Sequence, residues 1–182
     1  TLDVTGMWGY AYFVEALAMV KSHLASGVHK ELFIWWWNHN MAMSYQECEL
    51  SVPAPSDSDD ETDQEVLITG VDWSSNSGDR HPGLLIVSYM HHGIQIFETQ
   101  AWAEVRRINM HGMVAAASVS PNGAHIVVSN IVSGFDVYTL DDGESVSSFD
   151  QGIAEALPIP VIWMHGGCAI LAGSAVGKLR IW

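Results

Sequence analysis

The sequence has little basic charge, few cysteines and no long apolar run, and each shortage argues against a class of protein. Lysine and arginine together number 7 against 21 aspartate and glutamate residues, giving a formal net charge of −14. Nucleic acid and anionic membranes need a basic footprint, so this balance argues against both as partners of this segment. Cys48 and Cys168 stand far apart without a metal-ligand spacing, which argues against a disulfide framework and favours an intracellular location, cytoplasmic or nuclear.

Signals for secretion, membrane insertion and catalysis are also missing. The apolar stretch 10–20 is interrupted by Glu15 and followed by Lys21, so it is too short to span a bilayer. No nucleophile elbow, zinc-protease helix, phosphate-binding loop or dinucleotide fingerprint stands in a suitable context. The sequence therefore predicts a non-enzyme with no cofactor and no metal site. Asp72, inside an apolar strand pattern, is the most interesting acid, and we expect it to make a structural hydrogen bond.

The sequence does contain an internal repeat of twelve residues, which aligns without gaps. Each copy reads as a β-hairpin: a short apolar strand, a turn, and an alternating strand that ends in an aromatic residue. The copies occupy 24–35, 86–97, 127–138 and 171–182. Their terminal aromatics are Trp35, Phe97, Tyr138 and Trp182, and the position nine residues earlier holds Ser26, Ser88, Ser129 and Gly173. We predict that the aromatics and the three serines are structural anchors of the repeated units, and we expect Trp35 to be buried between two of these units.

The repeat spacing indicates the size of each structural unit. The terminal aromatics are 62, 41 and 44 residues apart, and the last two values match the ~40–45-residue period of propeller blades. The first interval is one period plus about 20 residues, and it contains an acidic, proline-bearing stretch. We predict four-stranded antiparallel units at 9–51, 66–108, 113–149 and 159–182, the last lacking its fourth strand, with an insertion loop at 52–65. Strand a of the first unit is expected at 9–17.

These features resemble the WD40 repeat family in a degenerate form of the kind found in fungal proteins. Residues 113–120 followed by Pro121, Asn122 and Gly123 are similar to the family's strand-and-turn stretch. The resemblance covers nearly the whole chain and implies an all-β, seven-bladed β-propeller, of which about four blades are present. It further implies a non-catalytic scaffold that binds proteins or peptides through the rim formed by the d–a and b–c loops.

The chain departs from the family pattern where the family has its Trp-Asp pair. The aromatics are followed by Trp36, Glu98 and Thr139, so the aspartate is missing, and the serine nine residues earlier preserves one member of the family's hydrogen-bonded tetrad. A propeller enzyme of quinoprotein-like or lactonase-like type, with a ligand in the central channel, is the alternative. Because the sequence begins at Thr1 and stops inside a repeat, we expect a piece of a longer protein whose open ends self-associate.

Three groups of residues are candidates for binding on the rim. The acidic insertion combines one charge sign with two prolines, which favours a solvated loop and a basic partner. Acidophilic phosphorylation is predicted at Ser56 and Ser58. Histidines in the predicted b–c turns and d–a loop, and Trp37 two residues after the anchor Trp35, complete the set. The candidate rim residues are Trp37, Asp57, Asp59, Asp60, Glu61, His91, His92 and His111.

Overall fold

Fifteen strands form four antiparallel sheets in a computed structural model that describes residues 16–20, 22–38, 43–50, 53, 65–74, 83–150, 158–174 and 176–182. Each sheet is a meander in which sequential strands are neighbours. Sheet 1 holds β1 Ala16–Val20, β2 His23–Val28, β3 Glu31–Asn38 and β4 Met43–Leu50. Sheet 2 holds β5 Ile68–Ser74, β6 Leu84–Tyr89, β7 Gly93–Glu98 and β8 Glu104–Ile108. Sheet 3 holds β9 Val114–Val119, β10 His125–Asn130, β11 Gly134–Thr139 and β12 Ser145–Asp150. Sheet 4 holds β13 Val161–Met164, β14 Ala169–Ala172 and β15 Arg180–Ile181.

The first strand differs from its predicted position. The pattern placed it at 9–17, whereas β1 runs to Val20 and pairs with His23 across a two-residue connection. Residues 9–15 lie outside the described residues. The prediction ended the strand too early because Ala18, Met19 and Val20 were assigned to the turn, although they are as apolar as the strand before them.

The four sheets stack face to face, with three hydrophobic cores between consecutive sheets. The first strand of each sheet lies beside the first strand of the next, β1 against β5, β5 against β9 and β9 against β13. Successive side chains along a strand point to opposite faces of its sheet, so a sheet with a neighbour on each side contributes side chains to two hydrophobic cores. In β6, for example, Leu85 and Val87 contact sheet 1 while Ile86 contacts sheet 3. This is an arrangement of β-propeller-like blades.

The terminal aromatics of the repeat occupy equivalent positions in the last three sheets. Phe97, Tyr138 and Trp182 each face the preceding sheet, and Phe97 is 1% exposed. Trp35 is buried as well, but it pairs with Leu24 and therefore lies on the face of sheet 1 that points away from sheet 2. The expectation that Trp35 lies between two blades is thus not met among the described sheets.

The repeated serine lies beside its aromatic in one copy only. Trp35 Nε1 donates a buried hydrogen bond of 2.8 Å to Ser26 Oγ. Cross-strand pairing puts Ser88 on the face opposite Phe97, where its hydroxyl donates to the Gly70 carbonyl at 3.3 Å. Ser129 likewise pairs with Phe135 and faces away from the repeat's aromatic. The tetrad-like partnership that the serines suggested therefore holds in the first copy alone.

Removing the Ser26 hydroxyl is expected to lower the free energy of unfolding by about 1–3 kcal/mol, because Ser26→Ala leaves a buried indole N–H without its acceptor. In a Trp35→Phe background, which has no N–H to satisfy, the same change should cost under about 1 kcal/mol. Urea unfolding of the two single variants and the double variant measures this coupling. Equal costs in both backgrounds would contradict the role assigned to this bond.

The outer strand of each four-stranded sheet carries one extra residue. The register skips Glu47 in β4, Val105 in β8 and Val146 in β12, each opposite the strand that bears the repeat's aromatic. Such a bulge increases local twist and bends the strand. The two valines are similarly exposed, at 52% and 51%.

Candidate functional site: the upper rim

One end of the stack is formed by the turns that join the second and third strands and by the segments that enter each sheet. We define the upper rim as residues 29–30, 65–67, 90–92, 109–113 and 131–133. The turns are short because the flanking strands pair up to their ends, with Val28 opposite Glu31, Tyr89 opposite Gly93, and Asn130 opposite Gly134. The rim is therefore made of tight hairpin ends rather than long loops.

A zigzag of backbone hydrogen bonds joins the rim segments of neighbouring sheets. Ile68 N–H donates to the His29 carbonyl and Met90 N–H donates to the Leu67 carbonyl, both at 2.8 Å. The same pattern repeats one sheet further on. There Val114 N–H donates to the Met90 carbonyl at 2.8 Å, and Ile131 N–H donates to the Met113 carbonyl at 2.9 Å. Sheets 1, 2 and 3 are thereby fixed to one another along the rim through groups that every amino acid except proline can supply.

Asn130 adds a side-chain connection to this backbone pattern. Its amide Nδ2 donates to the His111 carbonyl at 2.9 Å, and its Oδ1 accepts from Val132 N–H at 3.0 Å. One side chain thus holds a turn of sheet 3 to the segment that enters the sheet. Gly112, at φ +95°, passes directly over the Asn130 amide, and a side chain at this glycine would collide with it.

The rim side chains point largely into solvent. His29, Lys30 and His111 are exposed, and Val132 at the tip of its turn is 65% exposed. His29 Nδ1 lies 4.0 Å from Glu65 Oε1, and both side chains are more than half exposed, so this pair contributes little to stability. A fixed backbone with exposed side chains is an arrangement in which the rim sequence can vary without disturbing the cores.

The three histidines proposed from sequence lie on two neighbouring segments of this rim. His91 and His92 are half-buried in the turn of sheet 2, and His111 is in the segment that enters sheet 3. Burial lowers the pKa of His92, and the nearby His91 and Arg107 lower it further. No cluster of three or more potential metal ligands occurs within the described part of the chain. These side chains thus share one surface without forming a metal centre there.

Other proposed residues lie elsewhere. Trp37 is half-buried rather than exposed, and its backbone N–H donates to the Ser22 carbonyl at 2.7 Å. It therefore stands at the opposite end of sheet 1 from the upper rim, because β3 runs away from the His29 turn, and its prediction as a rim residue is wrong. The acidic and phosphorylation candidates lie outside the described residues: Ser56, Asp57, Ser58, Asp59, Asp60 and Glu61.

A polar group beneath the rim was not foreseen from the sequence. Tyr89 and Gln95 are both fully buried on the face of sheet 2 that packs against sheet 1. Gln95 Nε2 donates to Glu104 Oε2 at 2.8 Å, and Arg107 pairs with the same carboxylate at 3.0 Å. Burial raises the pKa of Tyr89 beyond its usual range. The signal available in the sequence was a glutamine at a core-facing position of an otherwise apolar strand.

Asp72 makes the structural hydrogen bond that was expected of it. Its Oδ2 accepts from Val119 N–H of the neighbouring first strand at 3.3 Å, so it joins sheets 2 and 3. A small cavity lies beside it, lined by Gly70, Ser88 and Ala117 among others. Burial raises the pKa of Asp72 to about 6, although the Val119 hydrogen bond acts in the opposite direction.

Comparison with known proteins finds a similar fold but no similar sequence. No protein-family model matches the sequence, and no curated protein matches it. Among the described residues there is no helix long and apolar enough to cross a membrane. The chain is similar in structure to the computationally designed Ika4 protein, whose crystal structure it matches with a TM-score of 0.69 and 12% sequence identity. The match covers 96% of this chain and 92% of that one, so the likeness extends over the whole architecture and shows the fold alone.

Proposed function

We propose that the four sheets are blades of a closed, WD40-type propeller that acts as a non-catalytic scaffold and binds proteins or peptides on its upper rim. The observation that carries the binding proposal is the backbone zigzag along the rim. It fixes the turns of three sheets by hydrogen bonds that do not depend on side-chain identity, and it leaves His29, Lys30, His111 and Val132 at the surface.

Ring closure is supported by the apolar faces at the two ends of the stack. On sheet 4, Ile162 pairs with Leu171 and Leu171 with Ile181, which makes an apolar row across the face that points away from sheet 3. Ile162 and Ile181 are more than half exposed. On sheet 1, Leu17 and Met19 are nearly half exposed on the face that points away from sheet 2. Both are faces of the kind that are buried between sheets elsewhere in the stack.

The partner that fits this rim best is a basic peptide or a basic protein surface. The chain carries a net charge of −14, and six of its 21 acids fall within residues 57–65, directly before the segment that enters sheet 2. Opposite charge speeds association and selects against wrong partners. The scaffold would therefore combine a rigid rim with an acidic segment that directly precedes one of the rim segments in the sequence.

An octalysine peptide labelled with fluorescein provides a test. Replacing two insertion acids, Asp59→Asn with Asp60→Asn, is expected to weaken binding about fivefold, which corresponds to roughly 1 kcal/mol. The control removes the same charge away from the rim, through Asp141→Asn with Glu144→Gln in an exposed turn, and should change the affinity less than about twofold. Fluorescence anisotropy at fixed salt measures both. Equal losses would mean that the peptide responds to net charge alone and would contradict the rim proposal.

A further inference from the structure

The upper rim contains a large share of the chain's histidines. Four of the nine lie on it, although the rim makes up less than a tenth of the sequence: His29, His91, His92 and His111. The other charged residues of the rim are Lys30 and Glu65, whose formal charges cancel. The rim therefore has no net charge when its histidines are neutral and a charge of +4 when all four are protonated.

Few other charged or titratable groups of the described residues face these histidines. They are Lys30, Glu31 and Glu65 beside the turn of sheet 1, Tyr89, Glu104 and Arg107 below the turn of sheet 2, and Asp150 beside the turn of sheet 3. Glu104 and Arg107 already pair with each other at 3.0 Å. Residues 109–113 and 131–133 add no charged side chain other than a protonated His111. Protonation thus adds charge to a surface that has few groups to neutralise it.

The four histidines differ in their access to solvent. His29 and His111 are exposed, whereas His91 and His92 are half-buried. His92 Nδ1 is buried without a hydrogen-bond partner among the described residues. Burial lowers the pKa of His92, and the charges of His91 and Arg107 lower it further. Because solvent stabilises a charge on an exposed side chain, the two exposed histidines are the sites where protonation costs least.

We propose that mild acidification makes the rim positive through these histidines and thereby releases a basic partner. This inference rests on the proposed function, because it concerns the affinity of the same rim for a basic peptide. Histidine is the side chain whose charge ordinarily changes between pH 5 and pH 8, and like charges across an interface oppose association. At His29 the new charge also pairs with Glu65, whose Oε1 lies 4.0 Å from Nδ1, and so competes with the partner for that acid.

The affinity of the full chain for rhodamine-labelled octalysine, measured by fluorescence anisotropy at pH 7.5 and pH 5.5, tests this regulation. Lysine and exposed carboxylates ordinarily keep their charges over this range. The dissociation constant is expected to rise about tenfold on acidification, which is ~1.4 kcal/mol. Replacing the two exposed rim histidines, His29→Asn with His111→Gln, should reduce the rise to about threefold, because half of the added charge is gone.

Two histidines at the opposite end of the stack provide a matched control. His165 is exposed and has φ +50°, almost the same as φ +49° at His29, so His165→Asn makes the same substitution in the same backbone conformation. Asparagine tolerates this left-handed conformation. His125 stands at the start of β10, away from the rim, and His125→Gln completes the control pair. This double variant should keep the tenfold rise, and thermal unfolding at both pH values checks that both double variants are folded.

Asp72 needs a control of its own, because burial raises the pKa of this carboxyl to about 6, within the range of the experiment. Its Oδ2 accepts from Val119 N–H between the first strands of sheets 2 and 3, so the group is not part of the rim surface. Asp72→Asn should therefore keep the tenfold rise.

Three results would overturn the proposal. The first is equal affinity at the two pH values, which would leave the rim as a binding surface without regulation by its histidines. The second is a tenfold rise that survives in the variant lacking His29 and His111. The third is a rise that shrinks equally in both double variants, which would assign it to overall charge. Absence of octalysine binding at pH 7.5 would contradict the proposed function itself, and this inference with it.

Discussion

Gly93→Ala is expected to lower the free energy of unfolding by about 3 kcal/mol or more. Gly93 closes the turn of residues 90–92 and has φ +69°, a left-handed conformation that costs an ordinary residue about 1–2 kcal/mol. A Cβ at this position would also lie 2.2 Å from the carbonyl oxygen of Ile108 and 3.3 Å from the backbone nitrogen of Met110. Backbone atoms cannot move aside as a flexible side chain can, so the overlap adds a further cost of about 1–3 kcal/mol.

Gly166→Ala is the matched control for this substitution. Gly166 has φ +66°, almost the same left-handed conformation, but no atom of the residues that the structure describes lies within 4 Å of the position its Cβ would take. It should therefore show the conformational cost alone, about 1–2 kcal/mol. Urea unfolding measures the loss of free energy of unfolding in each variant, and the two losses are compared with the same dependence on urea concentration for both proteins. A difference below about 0.5 kcal/mol between the two variants would contradict the steric explanation, because measured additivity errors are of that size.

The second and third strands of each sheet could be predicted to within about two residues, for a local reason. An apolar strand, a turn and an alternating strand are all specified by residues close together in the chain, so neither a family nor a tertiary contact is needed to find them. β11, for example, begins and ends where the alternation of Phe135 and Val137 predicts. The first strand of sheet 1 was less certain because its neighbours in sequence are uniformly apolar and give no boundary.

The faces of the strands could not be predicted, because the gapless alignment concealed a difference in turn length. The turn of sheet 1 has two residues, 29 and 30, while those of sheets 2 and 3 have three, 90–92 and 131–133. One extra residue shifts the pairing by one, and a shift of one turns every side chain of a strand to the opposite face. This is why Ser26 reaches Trp35 while Ser88 and Ser129 do not reach their aromatics.

A candidate site could be predicted from the sequence when the features that place its residues lie close to them in the chain. The rim histidines follow from turn positions, so the sequence places them on the correct connections. Trp37 was assigned to the wrong end of sheet 1, although strand direction alone decides its place, because the third strand starts at the turn of residues 29–30 and runs away from the rim. The aromatic residues between sheets 3 and 4 were out of reach, because Phe149, Trp163 and Trp182 come from two different sheets and only their packing brings them together.

The environment of Asp72 makes stability depend on pH in a direction unusual for an aspartate. The carboxyl group lies between the first strands of sheets 2 and 3, close to Ile86 and Ala117, with Ser88 as a polar neighbour. Asp72 is the one titratable side chain among the described residues that line this cavity. Burial disfavours the charged form, and the single hydrogen bond from Val119 N–H compensates only in part, so the pKa rises from 3.8 to about 6. The folded protein therefore holds a proton on Asp72 at pH values where the unfolded chain has released it.

Asp72→Asn is expected to remove a loss of stability that the unmodified protein suffers between about pH 4 and pH 6. In that window the unfolded state binds fewer protons than the folded state, so the free energy of unfolding falls as pH rises, by about 1.4 kcal/mol per pH unit and about 3 kcal/mol in all. Asparagine has no charge to bury, and its amide oxygen can still accept from Val119 N–H. The variant should match the unmodified protein below pH 4 and exceed its stability at pH 7.

Asp142→Asn provides a control of opposite sign, because hydrogen bonds from Thr139 and from Glu144 N–H lower the pKa of Asp142. These hydrogen bonds to the charged carboxylate stabilise the folded protein at neutral pH, and this stabilisation is lost as pH falls. The Asp142 variant should therefore be less stable than the unmodified protein at pH 7. Urea unfolding from pH 3.5 to pH 7.5 measures all three proteins. If Asp72→Asn leaves the pH profile unchanged, the carboxyl is ionised in the fold at neutral pH without cost, and the inter-sheet position would have to be solvated.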